Sequence, residues 1–288
     1  MQEAVIGRFA PSPTGPLHRG SLVAALGSYL STKSQGGRWL VRIEDIDAQR
    51  SLPGVDAAIL STLEAYGFEW DGEVLYQSRR LAFYEAAIDA LTRNGLLYAC
   101  ACSRREVAEN ARLPGIYPGT CRQKPPKKAK QYALRIKTDN EPIGFEDGVY
   151  GAFTQRIEQE VGDFVLLRAD GEFAYQLAVV VDDALSGVTE VVRGYDLLDS
   201  TPRQIYLQRR LGYKTPRYAH LPLVMGADGQ KLSKQNLAEP IEAKNASAEL
   251  VSALSFLGQK PPPELCAEHP ATLLEWATAN WRLADITP

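Results

Sequence analysis

The stretch Gly7-Arg8-Phe9-Ala10-Pro11-Ser12-Pro13-Thr14-Gly15-Pro16-Leu17-His18-Arg19-Gly20 decides the fold of this chain. A short apolar run over residues 4–6 leads into it, and an apolar ladder at helical spacing over residues 22–30 follows it, which predicts a strand, a loop and a helix. Backbone N–H groups at the start of a helix lack intrahelical partners and, with the positive end of the helix dipole, favour phosphate. Because glycine-rich turns are common, the more specific feature is His18, two residues before a glycine at the start of the helix.

The composition bounds the class of protein. With 288 residues, of which 45% are hydrophobic, the chain can bury a sizeable core as one large domain with insertions or as two domains. The formal net charge is −3, so any contact with RNA must use a local basic surface. No run approaches the ~18 apolar residues of a membrane helix, and the N-terminus lacks a signal-peptide pattern, so we expect a cytoplasmic protein without membrane association.

Strand and helix patterns alternate along the N-terminal part of the chain. A buried strand is predicted over residues 39–43, and helical spacing recurs over residues 55–67 and 81–95. This alternation predicts an α/β fold with a parallel sheet. Glu44 follows the buried strand directly, and carboxylates at the carboxyl end of a strand point into the crevice where such sheets bind ligands.

The second half of the chain returns to regular patterns. Strand-like runs cover residues 132–136, 164–168, 175–181 and 188–193. Thr201, as the N-cap before Pro202, predicts a helix that ends near Gly212.

Periodicity is interrupted from residue 96 to residue 131, where the cysteines Cys100, Cys102 and Cys121 cluster. A reducing compartment favours metal ligation or free thiols over disulfides. Three thiolates are one short of a closed tetrahedral zinc site, so zinc binding and buried free cysteines both remain open on spacing alone. The lysine-rich run over residues 124–128 is typical of a solvated loop, with contact to an RNA backbone as the alternative.

Two motifs resemble the signatures of class I aminoacyl-tRNA synthetases. His18-Arg19-Gly20-Ser21, with the residues before it, resembles the HIGH signature in the long form of the glutamyl branch, although Ser21 stands where that signature has its last histidine. Lys231-Leu232-Ser233-Lys234 is similar to the KMSKS signature. Each pattern is weak alone, but the two are specific as a pair.

The resemblance implies a domain organisation. It predicts an α/β, Rossmann-type parallel-sheet catalytic domain split between residues 1–95 and 173–225. An inserted, zinc-containing acceptor-binding subdomain would cover residues 96–172. A signature loop and a short helical part that contacts the RNA stem would cover residues 226–288, with too little chain left for an anticodon-binding domain.

The resemblance also implies a reaction, in which the α-carboxylate of L-glutamate attacks the α-phosphate of ATP, with Mg²⁺ accompanying the nucleotide. A carboxylate is ionised at pH 7, so catalysis consists of positioning and charge neutralisation. The family pattern assigns catalysis to His18 and Lys234. It assigns ATP binding to His18, Gly20, Ser21, Lys231, Ser233 and Lys234. It assigns glutamate binding to Arg8, Ser12, Glu44, Tyr175 and Arg193.

Residues 117–121 resemble a pattern in a truncated paralogue group of the glutamyl enzymes. In that group a tyrosine completes the zinc site, which implies structural zinc held by Cys100, Cys102, Tyr117 and Cys121. The group attaches glutamate to queuosine in the anticodon loop of tRNA(Asp), so we expect this RNA as the partner and a monomer as the default.

Two other functions stay open. One is a minimal glutamyl-tRNA synthetase that charges the 3′ end of tRNA(Glu). The other is a non-catalytic RNA-binding relic, for which Ser21 is the warning sign and against which His18, Lys231 and Lys234 argue.

Overall fold

The computed structural model describes residues 4–111, 115–126, 131–226 and 239–288. Its strands are β1 Ile6–Phe9, β2 Arg38–Ile43, β3 Leu75–Tyr76, β4 Leu97–Cys100, β5 Ala133–Ile136, β6 Pro142–Asp147, β7 Gly151–Arg156, β8 Val165–Leu167, β9 Glu190–Gly194 and β10 Arg217–Leu221. Its α-helices are α1 Arg19–Lys33, α2 Val55–Ala65, α3 Leu81–Arg93, α4 Arg104–Asn110, α5 Thr120–Gln123, α6 Ile157–Glu160, α7 Tyr175–Leu185, α8 Thr201–Leu211, α9 Ala246–Phe256 and α10 Pro270–Asn280.

The strands form a parallel core with an antiparallel sheet beside it. One sheet has the order β1-β2-β3 with parallel pairs. A second has the order β7-β6-β10-β9, in which β6, β10 and β9 are parallel and β7 is antiparallel. Thr189 N–H donates to the carbonyl of Ile6 at 2.9 Å, so β1 and β9 join these two sheets. The third sheet, β4-β5-β8, is antiparallel.

Helix α1 packs closely on the central strands. At Gly7 on β1, an added Cβ would lie 1.9 Å from Oγ1 of Thr32, so only glycine fits between this strand and the helix. Leu22, Leu26 and Leu30 are buried, as the ladder predicted. On the other side of α1, helices α9 and α10 complete the same hydrophobic cluster with Leu250 and Leu273.

Most predicted elements are present with shifted bounds. Strand β1 includes Arg8 and Phe9, whereas the sequence pattern predicts them in the loop. Helix α8 ends at a left-handed Gly212, as predicted, but its N-cap is Ser200 because a 3₁₀ helix, Tyr195–Ser200, precedes it. Within residues 96–172, β4, β5 and β8 form the third sheet, whereas β6 and β7 belong to the second.

The predicted strand over residues 175–181 is wrong, because these residues open helix α7. Residues 177–183 are all buried, so the helix has apolar side chains around much of its circumference. A short buried helix of this kind reads as a continuous apolar run, which periodicity cannot distinguish from a buried strand.

In the described part of the chain, no helix combines the length and the apolar character needed to cross a membrane.

Candidate active site

A cavity of about 760 Å³ opens at the carboxyl ends of β1, β2 and β9. The predicted residues that line it are Arg8, Ser12, His18, Gly20, Ser21, Glu44, Tyr175 and Arg193. The predicted residues Lys231, Ser233 and Lys234 lie outside the described residues. The fold therefore brings together, from four separate stretches of sequence, every described residue assigned to glutamate or ATP.

His18 is the N-cap of α1, and its Nδ1 accepts from the backbone N–H of Gly20 at 3.1 Å and of Ser21 at 3.4 Å. Two of the N–H groups that the sequence offered to phosphate are thus used by the cap. Because Nδ1 is an acceptor, the neutral ring carries its proton on Nε2. The ring N–H of His18, a residue that lines the cavity, is therefore on Nε2.

Both flanks of residues 227–238 lie at this cavity. Leu223 and Val224, just before the segment, line it. After the segment, Pro240 forms an antiparallel bridge with His18, and Ile241 N–H donates to the carbonyl of Leu17 at 3.0 Å. The chain thus leaves the cavity and returns to it on either side of the lysine motif.

A buried network of charges underlies the cavity. Arg8 Nε donates to both oxygens of Asp183, at 3.2 and 3.3 Å, and Arg42 Nη1 donates to Asp183 Oδ1 at 2.6 Å. Arg42 Nη2 then donates to Glu44 Oε1 at 3.1 Å. Burial disfavours an ionised Asp183, but Arg8 and Arg42 outweigh it and hold the pKa of this carboxyl below its usual range.

At Glu44 the effect of burial on the pKa outweighs that of the neighbouring arginines. Burial raises the pKa of Glu44 above its ordinary value, even though Arg42 and Arg8 act against the shift. A cationic group bound beside Glu44 would stabilise the carboxylate and reverse that tendency. The site is therefore suited to an ammonium group. Tyr175 lies in the field of the same residues, and its pKa is raised by burial and by the charge of Glu44.

The lower part of this network was not predicted from the sequence. Asp182 accepts from Arg80 Nε at 2.6 Å, Tyr84 Oη at 2.7 Å and Gln77 Nε2 at 3.0 Å. A signal was present, since Asp182 and Asp183 stand in an apolar run and Arg42 interrupts an apolar strand. Charges in such runs are almost never fully buried unless they are paired.

Arg193 is held from several sides. Its Nε donates to His220 Nε2 at 3.1 Å, and its Nη2 donates to Thr201 Oγ1 at 2.7 Å and to the carbonyl of Leu197 at 3.3 Å. Its Nη1 is buried and has no hydrogen-bond partner among the residues that the structure describes. Arg193 lines the cavity, and Nη1 is the donor group of its guanidinium that the described residues leave unpaired.

A second cavity of about 330 Å³ adjoins the first. It shares Ser12, Glu44 and Tyr175 with the first cavity, and Asp47, Glu172 and Gln77 are among its other lining residues. The space around Glu44 and Tyr175 is therefore open in two directions.

The cysteine cluster lies apart from both cavities. The Sγ atoms of Cys100, Cys102 and Cys121 lie within 4.8 Å of one another, and Cys102 and Cys121 are 3.4 Å apart. The Tyr117 hydroxyl lies 3.4 Å from Cys100 Sγ and 3.8 Å from Cys102 Sγ. Burial and the Cys121 thiol raise the pKa of Cys102 to about 12, because both disfavour the thiolate.

Comparison with known proteins gives a consistent result. Residues 4–254 match the family of tRNA synthetases class I (E and Q), catalytic domain. A protein of Dechloromonas aromatica named glutamyl-Q tRNA(Asp) synthetase is 55% identical over 280 residues, which cover 96% of this chain and 93% of that protein. Proteins of the same name from Ectopseudomonas mendocina and Neisseria meningitidis are 55% and 53% identical, over 98% and 97% of this chain and 94% and 96% of theirs.

Two solved structures are similar over nearly the whole chain. The glutamate–tRNA synthetase of Elizabethkingia anophelis superposes with a TM-score of 0.84 at 26% identity, covering 99% of this chain and 67% of that one. A glutamate–tRNA ligase of Elizabethkingia meningosepticum, in complex with its amino acid, gives a TM-score of 0.83 at 26% identity and covers 99% of this chain and 66% of that one.

Proposed function

The chain belongs to the catalytic-domain family of class I tRNA synthetases for glutamate and glutamine, and from this premise we propose that it activates L-glutamate with ATP, without tRNA, and transfers the glutamyl group to queuosine in tRNA(Asp). The enzyme is thus a ligase of the class I type. The observation that carries the proposal is the cavity in which Arg8, Glu44 and Arg193 converge beside His18.

The charges of the cavity match those of glutamate, which has two carboxylates and one ammonium. Glu44 pairs with the ammonium, because its buried carboxylate gains from a neighbouring cation. Arg8 and Arg193 pair with the carboxylates, and the available Nη1 of Arg193 supports this role. Ser12 and Tyr175 line the same cavity and add hydroxyl contacts.

Activation then needs a positioned nucleophile and stabilised phosphates. A carboxylate oxygen of glutamate forms a bond to the α-phosphorus of ATP, the bond from that phosphorus to the bridging oxygen breaks, and pyrophosphate leaves with the electron pair. His18 donates from Nε2 to phosphate oxygens, and Gly20 and Ser21 shape the start of α1 around them. Lys231, Ser233 and Lys234 neutralise the triphosphate, with Mg²⁺ accompanying the ATP.

Queuosine is favoured as the acceptor by the relatives at 53–55% identity that carry the glutamyl-Q name. The second cavity opens beside Glu44 and Tyr175 and gives an acceptor hydroxyl, of queuosine or of a 3′ end, a route to the adenylate. Ordinary charging of a 3′ end is the alternative, and it draws on the similarity to solved glutamate–tRNA synthetases at 26% identity. The predicted divisions at residues 95, 172 and 225, the monomeric state and the cytoplasmic location stay predictions.

Exchange of labelled pyrophosphate into ATP tests the activation step. With L-glutamate and no tRNA, the protein should support exchange, and glutamine should be at least ~2 kcal/mol, or roughly 30-fold, poorer in kcat/KM. An amide facing an arginine loses a charge-assisted bond and brings its own N–H groups against cationic donors. No exchange with either amino acid would favour the relic, and equal exchange would overturn the roles of Arg8 and Arg193.

We further propose one structural zinc ion per chain, held by Cys100, Cys102, Tyr117 and Cys121. The S···S separations suit ligands placed ~2.3 Å from a shared ion. Metal analysis of protein purified without added zinc should give one equivalent, and Cys121→Ser should lose most of it. Cys266→Ser, at an exposed and distant thiol, should keep it. Protein without zinc, whose four thiols all react freely in the native state, would contradict the proposal.

A further inference from the structure

Asp147, His220 and Arg193 form a buried chain of side chains across the neighbouring strands β6, β10 and β9. Asp147 Oδ2 lies 2.6 Å from His220 Nδ1, and both side chains are fully buried. At the other side of the ring, His220 Nε2 lies 3.1 Å from Arg193 Nε. A carboxylate, an imidazole and a guanidinium therefore lead from the interior of the sheet to the wall of the glutamate cavity.

The donors and acceptors of these three side chains allow only one arrangement of hydrogen bonds. A guanidinium can only donate, so His220 Nε2 must be the acceptor for Arg193, and the ring proton must sit on Nδ1. Nδ1–H then donates to Asp147. The remaining oxygen of Asp147 is fixed as well, because Oδ1 accepts from the backbone N–H groups of His220, Val149 and Tyr150, each at 3.1 Å.

We propose that Asp147 and His220 are positioning residues for glutamate recognition. Asp147 sets the tautomer of His220, and His220 orients the guanidinium of Arg193 so that Nη1 meets a substrate carboxylate. Thr201 Oγ1 and the carbonyl of Leu197 both accept from Nη2, and the guanidinium carbon lies 5.5 Å from the centroid of the Tyr218 ring. This inference rests on the proposed function, because it assumes that Arg193 binds glutamate.

A purely structural role would have a different consequence. The Asp147–His220 bond ties β6 to β10, so it could stabilise the sheet without any effect on Arg193. Two substitutions of His220 separate these roles. Glutamine can place its carbonyl oxygen near the position of Nε2, and so keep an acceptor for Arg193. Asparagine can place its amide near the position of Nδ1, and so keep a donor for Asp147 but leave Arg193 Nε without a partner.

The experiment compares His220→Gln and His220→Asn by pyrophosphate exchange and by calorimetric titration with L-glutamate. We expect KM and Kd for glutamate to stay within about threefold in His220→Gln and to rise at least about 10-fold in His220→Asn, with KM for ATP unchanged in both. The reverse order, or equal effects in the two variants, would overturn the positioning role.

Asp147→Asn provides an independent variant, which also serves if substitution of His220 prevents folding. The three backbone N–H groups hold its amide oxygen, so its NH₂ must face His220 Nδ1. His220 must then carry its ring proton on Nε2. There it faces the N–H of Arg193 and can no longer accept a hydrogen bond from it. We expect KM for glutamate to rise at least about 10-fold at an unchanged KM for ATP, whereas Glu146→Gln, at the exposed neighbouring residue, has no effect.

An unchanged affinity for glutamate in folded Asp147→Asn would contradict the inference. Pyrophosphate exchange by the wild-type protein is measured first, and its absence would count against the proposed function. The order of glutamate affinities among the variants, measured by calorimetry without ATP, would still decide the role of His220.

Discussion

Lys234→Ala should lower glutamate-dependent pyrophosphate exchange at least ~100-fold, a loss of about 2.7 kcal/mol of transition-state stabilisation. Negative charge shifts along the triphosphate as the α-phosphorus is attacked, and the ammonium of a lysine is suited to neutralise it. The residues on either side of the lysine motif lie at the cavity: Val224 lines it, and Pro240 pairs with His18. Steady-state exchange rates, with the thermal unfolding midpoint of each protein, provide the measurement.

The matched control for this substitution is Lys244→Ala. Lys244 is an exposed lysine outside the cavity that pairs with Glu242, so its loss should leave exchange within about twofold. If well-folded Lys234→Ala exchanges at a near-normal rate, the interpretation of residues 231–234 as a synthetase signature is wrong.

Asp183→Ala should have the largest effect on stability, lowering the free energy of unfolding by about 3–5 kcal/mol. Asp183 is the shared partner of Arg8 and Arg42, and its removal leaves two buried guanidinium groups without this counter-charge. Glutamate affinity should fall as well, because Arg8 loses the contact that orients it. Urea denaturation with linear extrapolation measures the change.

Asp170→Ala is the control for the stability measurement. Asp170 pairs with Arg168 at 2.5 Å, but both side chains are partly exposed, so the expected cost is below about 1 kcal/mol. Equal losses in the two variants would show that burial of the Asp183 network adds no stability.

The stability that Asp183 contributes also depends on pH. Because the pKa of Asp183 is lowered in the folded state, its contribution is present above the unfolded value of ~3.9 and is lost as the pH falls through the lower folded value.

The parts of the site that the residue pattern predicted without the family resemblance are those with local signals. His18 could be found because it stands two residues before Gly20, where an apolar ladder at helical spacing begins, and Glu44 because it directly follows a buried strand. The cysteine cluster could be found because its three cysteines lie within one short stretch of sequence, residues 100–121. In each case the pattern lies within one short segment, and the local conformation of that segment places the residue.

The parts that were missed depend on pairing between distant segments. Arg42 meets Asp183 across 141 residues, and Asp147 meets His220 across 73 residues. Neither pairing can be derived without the strand order of the sheets. The prediction for residues 175–181 failed for a related reason, since those residues are buried on most sides and their apolar pattern therefore has no period.

The most direct measurement is the transfer of labelled glutamate to two forms of tRNA(Asp). Recognition of an RNA loop relies on backbone shape and on exposed single-stranded bases, so an anticodon nucleotide can serve as an acceptor. We predict that tRNA(Asp) trimmed of its 3′-terminal adenosine still accepts glutamate, through a cyclopentenediol hydroxyl of queuosine, whereas tRNA(Asp) with unmodified guanosine at that position does not. Acceptance that depends on the 3′-terminal adenosine and ignores queuosine would contradict transfer to the anticodon and identify the protein as an enzyme that charges a 3′ end.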